Sequence, residues 1–179
     1  MTVPTDIDEV LFDRPAIAAR ILALAGEIRR DFPDGRPVHL VAVLKGSFMC
    51  LGDLMRELGG EVTCDFIALS SYGGATQSSG EVRLLKDLDR GIEGRDVIIV
   101  EDIVDTGTTL AYLQEILKAR EPRSLRTACL LSKPSRRKVE VPVEYIGFTI
   151  EDRFVVGYGL DVDERYRHLP YIGVFGGAA

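Results

Sequence analysis

The residues best suited to chemistry lie together in the middle of the chain. The apolar run Val97-Ile98-Ile99-Val100 ends on two adjacent carboxylates, Glu101 and Asp102, and leads through Ile103-Val104 into Asp105-Thr106-Gly107-Thr108-Thr109. In open α/β sheets ligands bind beyond the carboxyl ends of the strands, so this order aims its polar residues at a site. Gly107 lets the backbone approach an anion closely, and threonine hydroxyls with the free N–H groups of a helix start can hold a phosphate. Two carboxylates beside a phosphate repel it unless they hold sugar hydroxyls or a hard cation such as Mg²⁺. A helix cap at Asp105 or Thr106 is the plainer reading. It accounts for one polar residue and leaves Glu101, Asp102 and the threonines without a role. No G-x-x-x-x-G-K-[ST] loop occurs, so the phosphate site is not of the P-loop kind.

These residues need a scaffold, and the pattern around them supplies one. Ile17, Ile21, Leu24, Ile28 and Phe32 recur at spacings of three and four, which predicts a helix over 15–32. Asp13 suits its cap, Pro15 its first turn, and Pro33 with Gly35 its end. Val38–Leu44 is a β-branched run of the kind buried in parallel sheets. A helix is expected over 47–58 and strands over 62–69, 82–88 and 97–100. A further helix is expected over 109–118, then strands over 125–131, 145–150 and 154–158. Strands alternating with helices predict an α/β fold with a mostly parallel sheet. The stretch 70–80, Ser-Ser-Tyr-Gly-Gly-Ala-Thr-Gln-Ser-Ser-Gly, is small, polar and glycine-rich, and reads as a loop.

Bulk properties narrow the classes of function. The chain has 179 residues, the size of one domain over 1–179, and 46% of them are hydrophobic. A formal charge of −6 argues against nucleic acid as the main partner but leaves room for a small phosphorylated ligand. Cys50, Cys64 and Cys129 are an odd, separated set, expected as buried free thiols in a reducing cytoplasm. No apolar run approaches the roughly 20 residues of a membrane helix, so no membrane partner is expected.

The segment 101–109 resembles the signature of the type I phosphoribosyltransferases. Three further stretches, Leu44-Lys45-Gly46-Ser47, Ser71-Tyr72-Gly73 and Asp152-Arg153-Phe154-Val155-Val156-Gly157-Tyr158-Gly159-Leu160-Asp161, are similar to the hypoxanthine-guanine branch of that family. The resemblance runs from about Val38 to Val174. It implies a central, mostly parallel sheet flanked by helices, with a small hood region near the purine site. It also implies Mg²⁺, phosphoribosyl pyrophosphate and a 6-oxopurine as ligands, and a homodimer or homotetramer as the working assembly.

The residue roles follow from the same resemblance. Glu101 and Asp102 would meet the ribose hydroxyls, with metal-bound water nearby. Asp105, Thr106, Gly107, Thr108 and Thr109 would cradle the 5′-phosphate. Lys45 and Gly46, on a turn that often carries a cis peptide, would grip the pyrophosphate with Arg167, while Ser71 and Tyr72 would head a lid. Lys133 would donate to the purine 6-oxo group, Phe154 would stack on the ring, and the backbone of Val155 would bond its edge. Asp161, with Glu101 and Asp102, would serve the metal, and Asp105 would take the N7 proton. The expected activity is purine salvage on hypoxanthine or guanine. A xanthine-preferring transferase and an RNA-binding regulator of the same fold are the alternatives. Some family members carry a basic residue where this chain has Thr108. His39 reads as structural, and His168 is given no role.

Overall fold

The computed structural model describes residues 3–33, 35–71 and 82–177. Nine strands and three helices follow one another as β1 (Ile7–Phe12), α1 (Arg14–Asp31), β2 (Val38–Leu44), α2 (Phe48–Leu58), β3 (Val62–Ser71) and β4 (Val82–Lys86), then β5 (Asp96–Val104), α3 (Thr108–Lys118), β6 (Ser124–Ser132), β7 (Tyr145–Thr149), β8 (Val155–Val156) and β9 (Ile172–Phe175). A 3-10 turn, Pro134–Arg136, follows β6. The larger sheet has the order β4-β3-β2-β5-β6-β7. All its pairings are parallel except that of β4 with β3.

The period-two alternation of a strand sorts its side chains between the two faces. Leu40, Ala42, Ile98 and Val100 pack with α1 and α2, whereas Val41, Val43, Val97 and Ile99 pack with α3. The predicted stripe of α1, from Ile17 to Phe32, is buried throughout. Asp13 caps this helix by accepting from Ala16 N at 2.9 Å. His39 is buried, with Nδ1 at 2.8 Å from Thr63 Oγ1, in keeping with a structural role.

Three features differ from the sequence expectation. First, β5 runs on to Val104, through both carboxylates, because β6 continues to pair with it as far as Ser132. Second, β1 and β9 had no expected counterpart. They join β8 in a separate antiparallel sheet, order β1-β9-β8, with a small core of Val156, Leu169, Tyr171 and Phe175. The expected strand over 154–158 is only Val155–Val156, since Gly157 and Gly159 take positive φ and turn the chain. Third, Cys64 is exposed where all three thiols were expected buried. It lies on the half of β3 that β4 does not reach, as β4 pairs only from Ala68 onward.

Candidate functional site

The carboxyl ends of β2, β5 and β6 converge with the loop following β8, and this convergence assembles the site. At the end of β5, alternation separates the two carboxylates. Glu101 continues the Val97-Ile99 side, facing the loop before α3, and Asp102 continues the Ile98-Val100 side, facing the end of β2. Glu101 is 6% exposed, and burial pushes its proton affinity well up, with the charge of Asp102 adding to the effect. Asp102 is raised to about 6, chiefly by burial; its hydrogen bond from Ile103 N at 2.7 Å and the nearby Arg167 pull the other way.

The loop Asp105–Gly107 is held in shape from outside. Gly107, with φ 85°, occupies the N-cap position of α3, which therefore falls on neither Asp105 nor Thr106. A Cβ here would also press on the Val139 carbonyl. The Thr106 carbonyl accepts from Lys138 N at 2.9 Å and Val139 N at 3.1 Å, and the Asp105 carbonyl accepts from Arg137 Nη1 at 3.1 Å. The first helical hydrogen bond runs from Ala111 N to Gly107 O, which leaves the N–H groups of Thr109 and Leu110 free of helical partners. Thr108 N lies 3.4 Å from Thr106 Oγ1. Gly107, Thr109 and Leu110 line a cavity of about 100 Å³ with Glu101, Asp105 and Thr106, a cradle of N–H and hydroxyl donors suited to an anion.

On the β2 side, the Leu44-Lys45 peptide bond is cis. Gly46 packs so closely that a Cβ on it would coincide with the Asp102 carboxylate, and a Cβ on Gly159 would run into the Gly46 carbonyl. Glycine at both positions therefore lets the β2 turn, the end of β5 and the loop after β8 touch. That loop carries Asp161 and Arg167. Arg167 Nη2 lies 2.8 Å from Asp161 Oδ1 and 3.4 Å from Glu164 Oε2, while Lys45 Nζ lies 2.9 Å from Glu164 Oε1. Lys45 and Arg167 thus face one carboxylate from two sides, as they could face a doubly charged anion. Among the described residues, no group of three or more His, Cys, Asp or Glu side chains forms a metal cage. The charge of Asp161 adds to what raises the proton affinity of Asp102, a condition a divalent cation relieves.

The third wall is aromatic and backbone. Lys133, directly after β6, is 7% exposed, and its Nζ reaches Asp152 Oδ1 at 3.5 Å. Its own N–H bonds the Val104 carbonyl at 3.0 Å, fixing the end of β6 to the end of β5. Phe154 is 48% exposed and meets Phe175 edge-on at 5.9 Å, leaving its ring face open. Phe175 N donates to Phe154 O, so Val155, one residue on, falls on a non-hydrogen-bonded pair with Val174. Its N–H and C=O point away from β9, toward the open edge of β8, where a flat heterocycle could pair with them.

Of the residues expected from the sequence, Lys45, Gly46, Glu101, Asp102, Asp105–Thr109, Lys133, Phe154, Val155, Asp161 and Arg167 all lie on this convergence. Ser71 ends β3, and Tyr72 lies outside the described residues. Sequence reading missed Arg136, Arg137, Asp152 and Glu164. The signal for the first two was present, since Lys133, Arg136, Arg137 and Lys138 crowd the turn after a strand that ends at the site. His168 lies apart, in a groove between α1 and α2 with Arg14 and Asp53.

Known proteins share this arrangement. The family described as "Phosphoribosyl transferase domain" matches residues 9–163. The chain is similar to hypoxanthine phosphoribosyltransferase of Escherichia coli, with 52% identity over 92% of this chain and 93% of that protein. It is similar to hypoxanthine-guanine phosphoribosyltransferase of Bacillus subtilis, with 45% identity over 94% and 93%. A crystal structure of hypoxanthine phosphoribosyltransferase from Staphylococcus aureus superposes with a TM-score of 0.90 at 45% identity, covering 95% of this chain and 92% of that one. With its mostly parallel sheet, the glycine-shaped loop before α3 and relatives this similar over nearly their whole length, the chain belongs to the phosphoribosyl transferase family, in its hypoxanthine-guanine branch.

Proposed function

We propose that residues 1–179 form one transferase domain that moves phosphoribosyl from phosphoribosyl pyrophosphate to N9 of hypoxanthine or guanine. One observation carries this reading: the anion cradle after β5 and the buried Lys133 after β6 sit on adjacent parallel strands, joined by the Lys133 N to Val104 O bond. A phosphate held in the cradle and a base held by Lys133 are then brought into one pocket, the proximity that a two-substrate transfer requires.

In the forward step the N9–C1 bond forms, the bond from C1 to the pyrophosphate oxygen breaks, and the proton on purine N7 leaves. The Asp105–Thr109 loop binds the 5′-phosphate, Asp105 accepts the N7 proton, and Lys133 donates to O6 while Phe154 stacks on the ring and the Val155 backbone bonds its edge. An ammonium can donate but not accept, which disfavours the amine of adenine. Lys45, Gly46 and Arg167 hold the departing pyrophosphate, whose growing charge takes the place of the Glu164 carboxylate. Mg²⁺ fits beside Asp102 and Asp161 with Glu101 behind them. Held there, it would supply positive charge to offset that growing on the pyrophosphate and ribose oxygens. By the family resemblance Ser71 and Tyr72 would serve to keep water from the reactive sugar carbon. Exposed Leu22 and Phe48, on α1 and α2, support assembly as a homodimer or homotetramer. The cytoplasm is the fitting compartment for three unpaired thiols.

The test is nucleotide formation from phosphoribosyl pyrophosphate and Mg²⁺ with hypoxanthine, guanine, xanthine, adenine or uracil offered singly. Product from the first two and not from adenine or uracil is expected. Product mainly from xanthine would correct the substrate, and none from any base would overturn the enzyme reading.

A further inference from the structure

The turn after β6 carries a set of charges whose arrangement goes beyond anion or base binding. Pro134–Arg136 is a single 3-10 turn, closed by Arg136 N to Lys133 O at 3.1 Å. Lys133 stands just before this turn, with φ −113°, and Arg136 ends it. Both reach Asp152: Lys133 Nζ lies 3.5 Å from Oδ1, and Arg136 Nη1 lies 3.3 Å from Oδ2. The other edge of the Arg136 guanidinium donates from Nε to Asp105 Oδ1 at 3.2 Å. Asp105, Arg136, Asp152 and Lys133 therefore form one chain of alternating charge. It joins the group read as accepting the N7 proton to the group read as donating to O6.

N7 and O6 are neighbours on one edge of a 6-oxopurine, so the spacing of these two protein groups must match theirs at the same moment. The backbone of Asp105 is fixed by Arg137, while its carboxylate, 39% exposed, is paired among the described residues with Arg136. We propose that Arg136 is a positioning residue that holds the Asp105 carboxylate in register with Lys133 through Asp152. This inference rests on the reading of Asp105 as the N7-proton acceptor. A planar fork can span two carboxylates, which a lysine ammonium at the same place does less well. Because the Arg136 and Asp152 side chains are about half exposed, their ion pair adds little to stability, and the effect of removing it falls on alignment.

The experiment compares Arg136→Met, Arg136→Lys, Asp105→Asn and the Arg136→Met/Asp105→Asn double variant, with steady-state kinetics on hypoxanthine and thermal melting of each. Arg136→Met is expected to lower kcat about tenfold, the scale of a sub-ångström misalignment, with KM for phosphoribosyl pyrophosphate within about twofold of the parent. Arg136→Lys should recover part of that loss. In the Asp105→Asn background, Arg136→Met should change kcat by less than about twofold, since the group it aligns is gone. Unchanged kcat in Arg136→Met, with Asp105→Asn strongly impaired, would overturn the role of Arg136 and leave that of Asp105 standing. Parent-like turnover in Asp105→Asn would remove the base itself. A parallel fall in kcat, substrate affinity and melting temperature, or an undiminished loss in the double variant, would make Arg136 merely structural and sink the proposal.

Discussion

Replacing Asp102 by Asn should stabilise the protein while harming its chemistry, and the size of the gain can be worked from the site. Burial raises the Asp102 carboxyl from 3.8 to about 6. A folded-state value above the unfolded one means that the protonated form is the better accommodated in the fold. The stability this confers is fully present below about 3.8 and is lost as pH rises through about 6. The shift of roughly two units corresponds to about 3 kcal/mol lost at pH 7.5, by the linkage of proton affinity to stability. By the same relation the loss falls to about half of that at pH 5 and is small at pH 4. Asp102 keeps some exposure to water, so about half the full figure is a fair lower bound. Asparagine retains the acceptor for Ile103 N and removes the charge that also raises Glu101.

The expected result is that Asp102→Asn at pH 7.5 unfolds later by about 1.5–3 kcal/mol in denaturant titration, at unchanged m-value. For a domain of this length that is roughly 3–10 °C in melting temperature. The gain should shrink to about half at pH 5 and nearly vanish at pH 4. A variant no more stable than the parent at pH 7.5, or one whose gain is the same at pH 5, would refute the claim that a buried charge is held there at the expense of the fold. Activity should fall in the same variant, the trade-off expected where a site is built from groups the fold disfavours.

Lys133→Met should lower kcat/KM for hypoxanthine about 10–100-fold, the value of one hydrogen bond to a charged group, while adenine gains relative to hypoxanthine; the ratio of the two bases measured side by side checks this. Gly159→Ala should cost at least about tenfold in kcat/KM for phosphoribosyl pyrophosphate. Its Cβ meets the Gly46 carbonyl and its φ of 101° disfavours alanine, so the Lys45–Gly46 turn must move. A parent-like KM for that substrate would show that the close contact of the two turns is not what sets the grip.

The main sheet was readable because its strands state their own period and burial. Val38–Leu44 was expected to the residue, and α1 with its Asp13 cap differed by one position at each end. What escaped reading depends on partners distant in sequence. Ile7–Phe12 is a short, largely exposed strand with no alternation strong enough to announce it, and it exists because Ile172–Phe175 lies alongside. The carboxylates were read as the end of β5, yet the strand carries on through them because β6 supplies pairing partners up to Ser132. That extension decides the chemistry, since within a strand neighbours face opposite ways. Glu101 looks toward the loop before α3 and Asp102 toward the β2 turn, where a loop would have allowed both to face one ligand.

The same logic explains why the site's cations are held by carboxylates to which the sequence assigned no role. A cradle made of backbone N–H groups is neutral, and Lys45, Lys133 and Arg167 would be left as cations facing one another across a gap that substrates must enter. Glu164 lies between Lys45 and Arg167, and Asp152 lies between Lys133 and Arg136. Each carboxylate is about half exposed or more, so each is held weakly enough to yield to a phosphate or a purine oxygen. Exposed partners therefore keep the cations aligned before substrate arrives. Among the described residues the buried pair Glu101–Asp102 forms no ion pair, and neutralising Asp102 is the change that separates the two kinds of charge.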